Sequence, residues 1–333
     1  MTDEMTLSRG GRLVPAPPLD PEIAAALAVQ LDRPSPITEA DIPGKRREDD
    51  EAGEQAQAHI RALGLVRTDL VATGHDGTPV PLSLVHRRDR STTSPLVYFI
   101  HGGGMMLGNR WSGSEVFLDW IDRYNAVVAT VEYRRAPESP YPIPQEDCYA
   151  GLRHLADNAE ALQVNVATGL LAGISAGGGL AAGVALMARD RGGPAVAGQL
   201  LIAPMLDDRG RTHSARQFPT GMWNAVENEL AWRSLLGDLH GTDDVPAYAA
   251  PARATDLSRL PPAYLEAGSA EVFRDEIVTY ASRIWADGGQ ADLHVWSGGF
   301  HGFGTFEHTV LAQGAASSLR NWLDRILGFS GRG

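Results

Sequence analysis

Cysteine is nearly missing from this chain. Cys148 stands alone among 333 residues, which excludes an intrachain disulfide and fits a reducing compartment. Positive charge is also scarce: 41 acidic residues outnumber 29 basic ones, for a net charge of −12. That balance argues against nucleic acid or an anionic membrane as the main partner. Met1 to Asp20 carry Asp3, Glu4 and several prolines but no apolar core of signal-peptide type, so a cytoplasmic location is expected. Neither a repeat nor a low-complexity tract is evident.

What is present is core-forming material. Hydrophobic residues make up 43 % and charged residues 21 % of the chain, enough for one large α/β domain or two ordinary ones. The most informative stretch is Leu170 to Ala182. An apolar run ends in Gly173-Ile174-Ser175-Ala176-Gly177 and passes at once into an Ala-rich segment. Strand, sharp turn and helix in that order form a nucleophile elbow, which holds a serine hydroxyl clear of a sheet at a helix N-terminus. Three other readings compete. Gly169 to Ala188 is free of charge and long enough to span a bilayer, but six glycines and a serine make a poor lipid-facing helix. Gly177, Gly179 and Ala182 fit a dinucleotide loop, but the strand ends too early and no acidic residue closes a second strand at the usual distance. In a chain with 37 glycines, Gly-x-Ser-x-Gly could also arise by chance. Partners elsewhere must decide.

Read in order, the chain opens with a polar, Pro- and Gly-containing stretch, Met1 to Pro18. A short helix from Pro21 to about Leu31 and a second within Asp41 to Leu65 follow. Val66 to Ala72 and Val80 to His86 flank His75-Asp76-Gly77, a hairpin signal. Strands are then expected at Leu96–Ile100, Ala126–Tyr133, up to the elbow, Val196–Met205, Ala263–Ala267 and Ala291–Trp296. Helices are expected at Ser114–Tyr124, Gln145–Leu162, after Ser175, at Phe273–Asp287 and at Thr305–Ile326. Between Leu206 and Arg259 the alternation stops, and Met222 to Leu236 reads as an inserted helix. The pattern implies a mainly parallel sheet covered on both faces, with an antiparallel edge.

A serine needs a base, and the base needs an orienting group. In an open α/β sheet these sit in loops at the carboxyl ends of strands. His301, between glycines straight after the last strand, meets that condition; His294 falls inside the strand and His308 inside the following helix. Glu271 lies at the exit of Ala263–Ala267 and is the expected acid. Asp275, within the next helix, is the reserve and reads better as a helix-start carboxylate. The order Ser, acid, His suits an α/β-hydrolase. His101-Gly102-Gly103-Gly104 ends the strand Leu96–Ile100 and can point backbone N–H groups at a reacting carbonyl, with the N–H of Ala176 as a further donor.

These motifs make the chain, from about Asp76 onward, resemble the hormone-sensitive-lipase-like carboxylesterases of the α/β-hydrolase superfamily. The resemblance rests on His101 to Gly104, Tyr133-Arg134-Arg135-Ala136-Pro137-Glu138 with Pro142 and Glu146-Asp147, the elbow around Ser175, Leu260-Pro261-Pro262, Arg274-Asp275-Glu276 and His301-Gly302-Phe303. It implies an eight-stranded, mostly parallel sheet with a helical cap, and a serine carboxylesterase that needs no metal or cofactor. It also implies Ser175 as nucleophile, His301 as base and Gly103, Gly104 and Ala176 as oxyanion donors. Residues 1–60 and 206–258 would build the cap over a core formed by 61–205 and 259–333.

Ile174 before the serine, Glu271 in place of aspartate with Val272 after it, and Met105-Met106 after the glycines depart from the family's habit. An apolar, cap-covered pocket of Met105, Met106, Phe218, Met222 and Trp223 is expected to suit small or medium acyl esters. Amides, lactones or N-acetyl groups would use the same site, and a non-catalytic receptor would lack the base. No membrane span is expected; relatives often pair through the last strand and helix, which admits a homodimer without requiring one.

Overall fold

The computed structural model describes residues 15–30, 36–218 and 222–328. Most of the Met1–Pro18 stretch and Leu31, the expected end of the first helix, lie outside these. The chain runs α1 (Pro21–Gln30), α2 (Ile42–Ala62), β1 (Val66–Thr73), β2 (Pro79–His86), β3 (Ser94–Ile100), α3 (Glu115–Tyr124), β4 (Val127–Val131), α4 (Ile143–Asp157), α5 (Ala159–Leu162) and β5 (Val164–Ile174). It continues with α6 (Ala176–Asp190), β6 (Gly198–Ile202), α7 (His213–Gln217), α8 (Ala225–Leu236), β7 (Ala263–Gly268), α9 (Arg274–Ala286), β8 (Ala291–Trp296) and α10 (Val310–Leu323).

The eight strands form one sheet in the order β1-β2-β4-β3-β5-β6-β7-β8. The first two pairings, β1 with β2 and β2 with β4, are antiparallel. All later pairings are parallel, as strand–helix alternation requires. At the hairpin, Gly77 takes φ +81° and the Asp76 carboxylate accepts the N–H of Thr78 at 3.0 Å, a turn closed by the aspartate itself.

The strand β3 shows why both faces are covered. Leu96, Tyr98 and Ile100 join one apolar cluster, with Leu152 of α4, Leu180 of α6 and Ile277 of α9. Val97 and Phe99 join the other, with Phe117 and Trp120 of α3 and Leu319 and Trp322 of α10. Successive side chains point to opposite faces, so a strand apolar at every position needs a helical layer on each side. The sheet buries its polar backbone in the ladders between these layers.

Several boundaries differ from the sequence expectation. The strand entering the elbow runs from Val164, which pairs with Ser94. The expected helix Gln145–Leu162 breaks at Asn158, whose side chain donates to the His154 carbonyl at 2.8 Å and competes with the helix ladder. The inserted helix starts at Ala225 rather than Met222, since Asn224 and Glu227 form a capping box. The last helix starts at Val310, capped by Thr309, which leaves His308 in the loop before it.

Gly169 to Ala188 splits between β5 and α6, and among the described residues no helix is long and apolar enough to cross a membrane. The turn between them fixes the backbones closely: a Cβ on Gly177 would lie 2.1 Å from the Ile100 carbonyl oxygen and 2.4 Å from that of His101.

Gly177→Ala is expected to lower unfolding free energy by about 1–3 kcal/mol through overpacking, read as a lower urea midpoint. Gly304→Ala, which meets nothing within 4 Å, should stay within about 0.5 kcal/mol of the parent. Equal midpoints for the two variants would contradict the close approach.

Candidate active site

Ser175 sits between β5 and α6 with φ 57° and ψ −123°. A side chain rarely tolerates this backbone, and it is held here because the flanking main chain is over-determined. The Ser175 N–H donates to the Ile202 carbonyl at 2.8 Å, while the Ser175 carbonyl accepts from Met205 at 3.0 Å and Gly179 at 3.1 Å. The hydroxyl is thereby aimed at the loop after β8, where Ser175 Oγ and His301 Nε2 lie 3.0 Å apart.

Behind the imidazole this loop is stitched to the loop after β7. The loop after β7 donates from Ser269 to the Trp296 carbonyl and from Ala270 to the Gly299 carbonyl, each at 2.8 Å. Ser269 Oγ in turn accepts from Gly298 at 2.8 Å. Glu271 is carried on this seam, 2 % exposed; its Oε2 accepts the Gly268 N–H at 3.2 Å and lies 3.8 Å from His301 Nδ1. That separation is an ion-pair contact and is too long for a hydrogen bond. Both His301 Nδ1 and Glu271 Oε1 are buried without a hydrogen-bond partner among the described residues.

Asp275 is turned elsewhere: its carboxylate accepts the N–H of Ser214 at the start of α7 at 2.8 Å and pairs with Arg274. Arg274 also reaches the Ser269 carbonyl at 2.7 Å. Glu276, fully buried and with its carboxyl pushed well up by desolvation, accepts from Leu206 at 2.7 Å and Asp207 at 3.2 Å. The Arg-Asp-Glu triplet therefore fastens the loops around the site.

The glycine loop after β3 faces Ser175 from the other side. Among the described residues none accepts from the N–H groups of Gly103, Gly104 or Ala176. The ring of His101 is buried and stacks on Tyr133, with centroids 4.2 Å apart, while Tyr133 Oη donates to the His101 carbonyl at 3.1 Å. Burial drives the His101 imidazole down to about 3. The ring is neutral at working pH, and Nδ1 donates to the Gly102 carbonyl at 2.8 Å.

Sequence reasoning missed the bracing from α2. Arg46 donates to the carbonyls of Met106 and Ala136, both at 2.8 Å, and pairs with Glu138. Asp49 accepts from Gly108 at 2.7 Å. Nothing local marks these residues, because their partners lie about 60 to 90 positions away. Similarly, α1 packs Ile23 against Phe300, Phe303 and Phe306 around the His301 loop.

Of the five expected pocket residues, Met105 and Met106 are wholly buried in the larger core cluster, and Phe218 and Trp223 pack against it. Trp223 reaches the glycine loop: a Cβ on Gly104 would lie 2.2 Å from its indole. Met222 is 45 % exposed, because the helix begins beyond it. None of the five lines the roughly 410 Å³ cavity on the opposite side of the sheet, which opens between α3 and α10 and touches Ile174, Glu266, Glu271 and Gly302. Glu266 was also missed, although a charged residue inside the buried run Ala263–Gly268 is a signal.

Residues 97–305 match a family model described as the alpha/beta hydrolase fold. Among sequence relatives, Esterase LipI of Mycobacterium tuberculosis is 32 % identical over 228 residues, covering 68 % of this chain and 70 % of that protein. Carboxylesterase NlhH of the same organism is 31 % identical over 281 residues, 79 % and 86 % of the two chains. Among solved structures, a bacterial heroin esterase superposes with a TM-score of 0.85 at 36 % identity, covering 93 % of this chain and 98 % of that one. Esterase LipW from Mycobacterium marinum gives 0.83 at 31 %, covering 95 % and 100 %.

Two outcomes are expected. Glu271→Gln should slow ester turnover far more than Asp275→Asn in steady-state assays; the reverse order would move the acid to Asp275. Below pH 6.5, the ordinary value for histidine, the unfolded chain protonates at His101 while the folded chain resists until about pH 3. The unfolded state then binds more protons, so stability falls with pH through that window. Urea midpoints of His101→Asn should decline less steeply there than those of the parent, and parallel slopes would contradict this.

Proposed function

Because this chain belongs to the α/β-hydrolase-fold family and is a serine carboxylic-ester hydrolase, we propose that Ser175, His301 and Glu271 are its nucleophile, base and orienting acid. The observation that carries the assignment is the 3.0 Å contact between Ser175 Oγ and His301 Nε2, made by residues 126 positions apart.

His301 takes the Ser175 proton as Oγ attacks the ester carbonyl, and the N–H groups of Gly103, Gly104 and Ala176 hold the resulting oxyanion. The imidazolium returns the proton to the leaving alkoxide, which departs as the alcohol. Water, activated by the same base, then cleaves the acyl-enzyme. Positive charge on the ring draws the Glu271 carboxylate in from 3.8 Å toward the roughly 2.8 Å of a charge-assisted bond. The extra methylene of glutamate gives it the reach, and apo sites commonly tighten in this way on binding.

The acyl site is small. The Trp223 indole lies against Gly104, and the backbone at Trp223 is held at φ 46° directly before the Asn224 cap. Acyl chains extending past the oxyanion donors therefore meet a fixed aromatic wall, which favours short and medium esters over emulsified long-chain ones. This pocket, residues 1–60 and 206–258 as a cap, and a cytoplasmic location complete the reading.

Ser175→Ala should remove essentially all turnover, roughly 10⁴-fold or more, with the fold retained by circular dichroism. A panel of chromogenic esters graded by acyl length should peak at short or medium chains. Faster hydrolysis of long-chain triglyceride emulsions would overturn the pocket argument, and full activity of Ser175→Ala would overturn the triad.

A further inference from the structure

The cavity between α3 and α10 has no part in the mechanism above. At the carboxyl ends of β5, β6 and β7, Ile174, Ile202 and Glu266 line it from the sheet. Above them the α3/α10 core cluster stops short, so Ile174 and Ile202 are only partly covered. Val116, Trp120 and Leu319 form apolar walls, and the roof includes Gly302 and Phe303, directly after the base.

One wall position is chemically out of place. Glu266 is nearly fully buried on a strand whose neighbours are apolar. One of its oxygens accepts from Tyr264 Oη at 3.0 Å and Trp296 Nε1 at 3.3 Å, and among the described residues no cation pairs with it. Glu271 also borders the cavity, its side chain fully buried and its Oε1 without a hydrogen-bond partner. Glu115, Asp119 and Glu307 add carboxylates around the wall; of the two arginines there, Arg123 is engaged by Asp324 at 2.9 Å and Arg320 donates to Ser317 Oγ at 3.3 Å. A nearly buried carboxylate with no ion-pair partner among the described residues leaves an electrostatic demand beside an apolar chamber.

We infer that this cavity is a regulatory site for a small organic ammonium ion, its apolar body between Trp120, Ile174 and Leu319 and its N–H donors on Glu266. Desolvation pushes the Glu266 carboxyl up to about 7, so a bound cation is favoured where that group is ionised. Ser175 and the three N–H donors do not line the cavity, so such a cation leaves substrate binding alone. Held on Glu266, whose charge is felt by Glu271, it offsets the Glu271 charge, weakens stabilisation of the His301 imidazolium and lowers kcat without moving KM.

The probe is benzylamine, protonated at about pH 8, against benzyl alcohol as its uncharged analogue. Calorimetry is run on Ser175→Ala, so that no turnover intervenes, and kinetics on the parent with a short soluble ester. Expected are saturable binding of benzylammonium, none of the alcohol, and a kcat that falls at constant KM. In the Ser175→Ala background, Glu266→Gln should weaken binding about tenfold, the loss of one charge-assisted contact. Ala316→Phe, at the exposed mouth, should abolish binding while leaving basal turnover unchanged when introduced into the parent.

Absence of binding, equal binding of the alcohol, inhibition through KM, or unchanged affinity in both cavity variants would overturn the proposal. The calorimetric arm needs no triad, so its failure is separate from a failure of the triad assignment.

Discussion

Everything at this site hangs on how closely three backbone segments approach one another at the carboxyl edge of the sheet. The main chain of α6 touches the end of β3 at Gly177, where a single added carbon would meet two carbonyl oxygens. That contact places the serine turn and the glycine loop in one fixed relation. A dense interior transmits such placement because it has no slack in which to absorb an error.

The supports are distributed over the chain and are mostly polar. Arg46 and Asp49 of α2 hold the glycine loop from outside, Tyr133 holds it from beneath through His101, and α1 backs the His301 loop with Ile23. Burying so many polar groups is tolerable because most of them find a partner. Among the described residues ten buried side-chain atoms have no hydrogen-bond partner, and four of these, His101 Nε2, Trp223 Nε1, Glu271 Oε1 and His301 Nδ1, lie around the candidate site. Unsatisfied groups gathered there are consistent with strain and unmet bonding being kept at functional places.

The two faces of the sheet divide the labour. On one, the larger core cluster with α6 and Trp223 shapes the space beside Gly104. On the other, the helices α3 and α10 leave a chamber that Glu271 and Gly302 border. Under the proposed assignment, a ligand in that chamber would act on the charge balance around His301 while staying clear of Ser175.

Much of this was legible along the chain, because it is encoded locally. A strand apolar at every position followed by an amphipathic helix announces a parallel sheet, and the glycine spacing around Ser175 announces the elbow, since each follows from the geometry of adjacent residues. The same holds for His301 and Glu271, which stand directly after strands. Breaks at Asn158, Asn224 and Thr309 were encoded too, as side-chain caps, but an apolar periodicity outweighs them when helices are read from hydrophobic pattern alone. What the linear order could not express is contact between distant residues: the 3.8 Å between His301 and Glu271, the grip of Arg46 on Ala136, the indole of Trp223 against Gly104 and the chamber behind the base. Those depend on loop lengths and packing summed over the whole molecule, so they came into being only when the sheet closed its register and the helices settled on it.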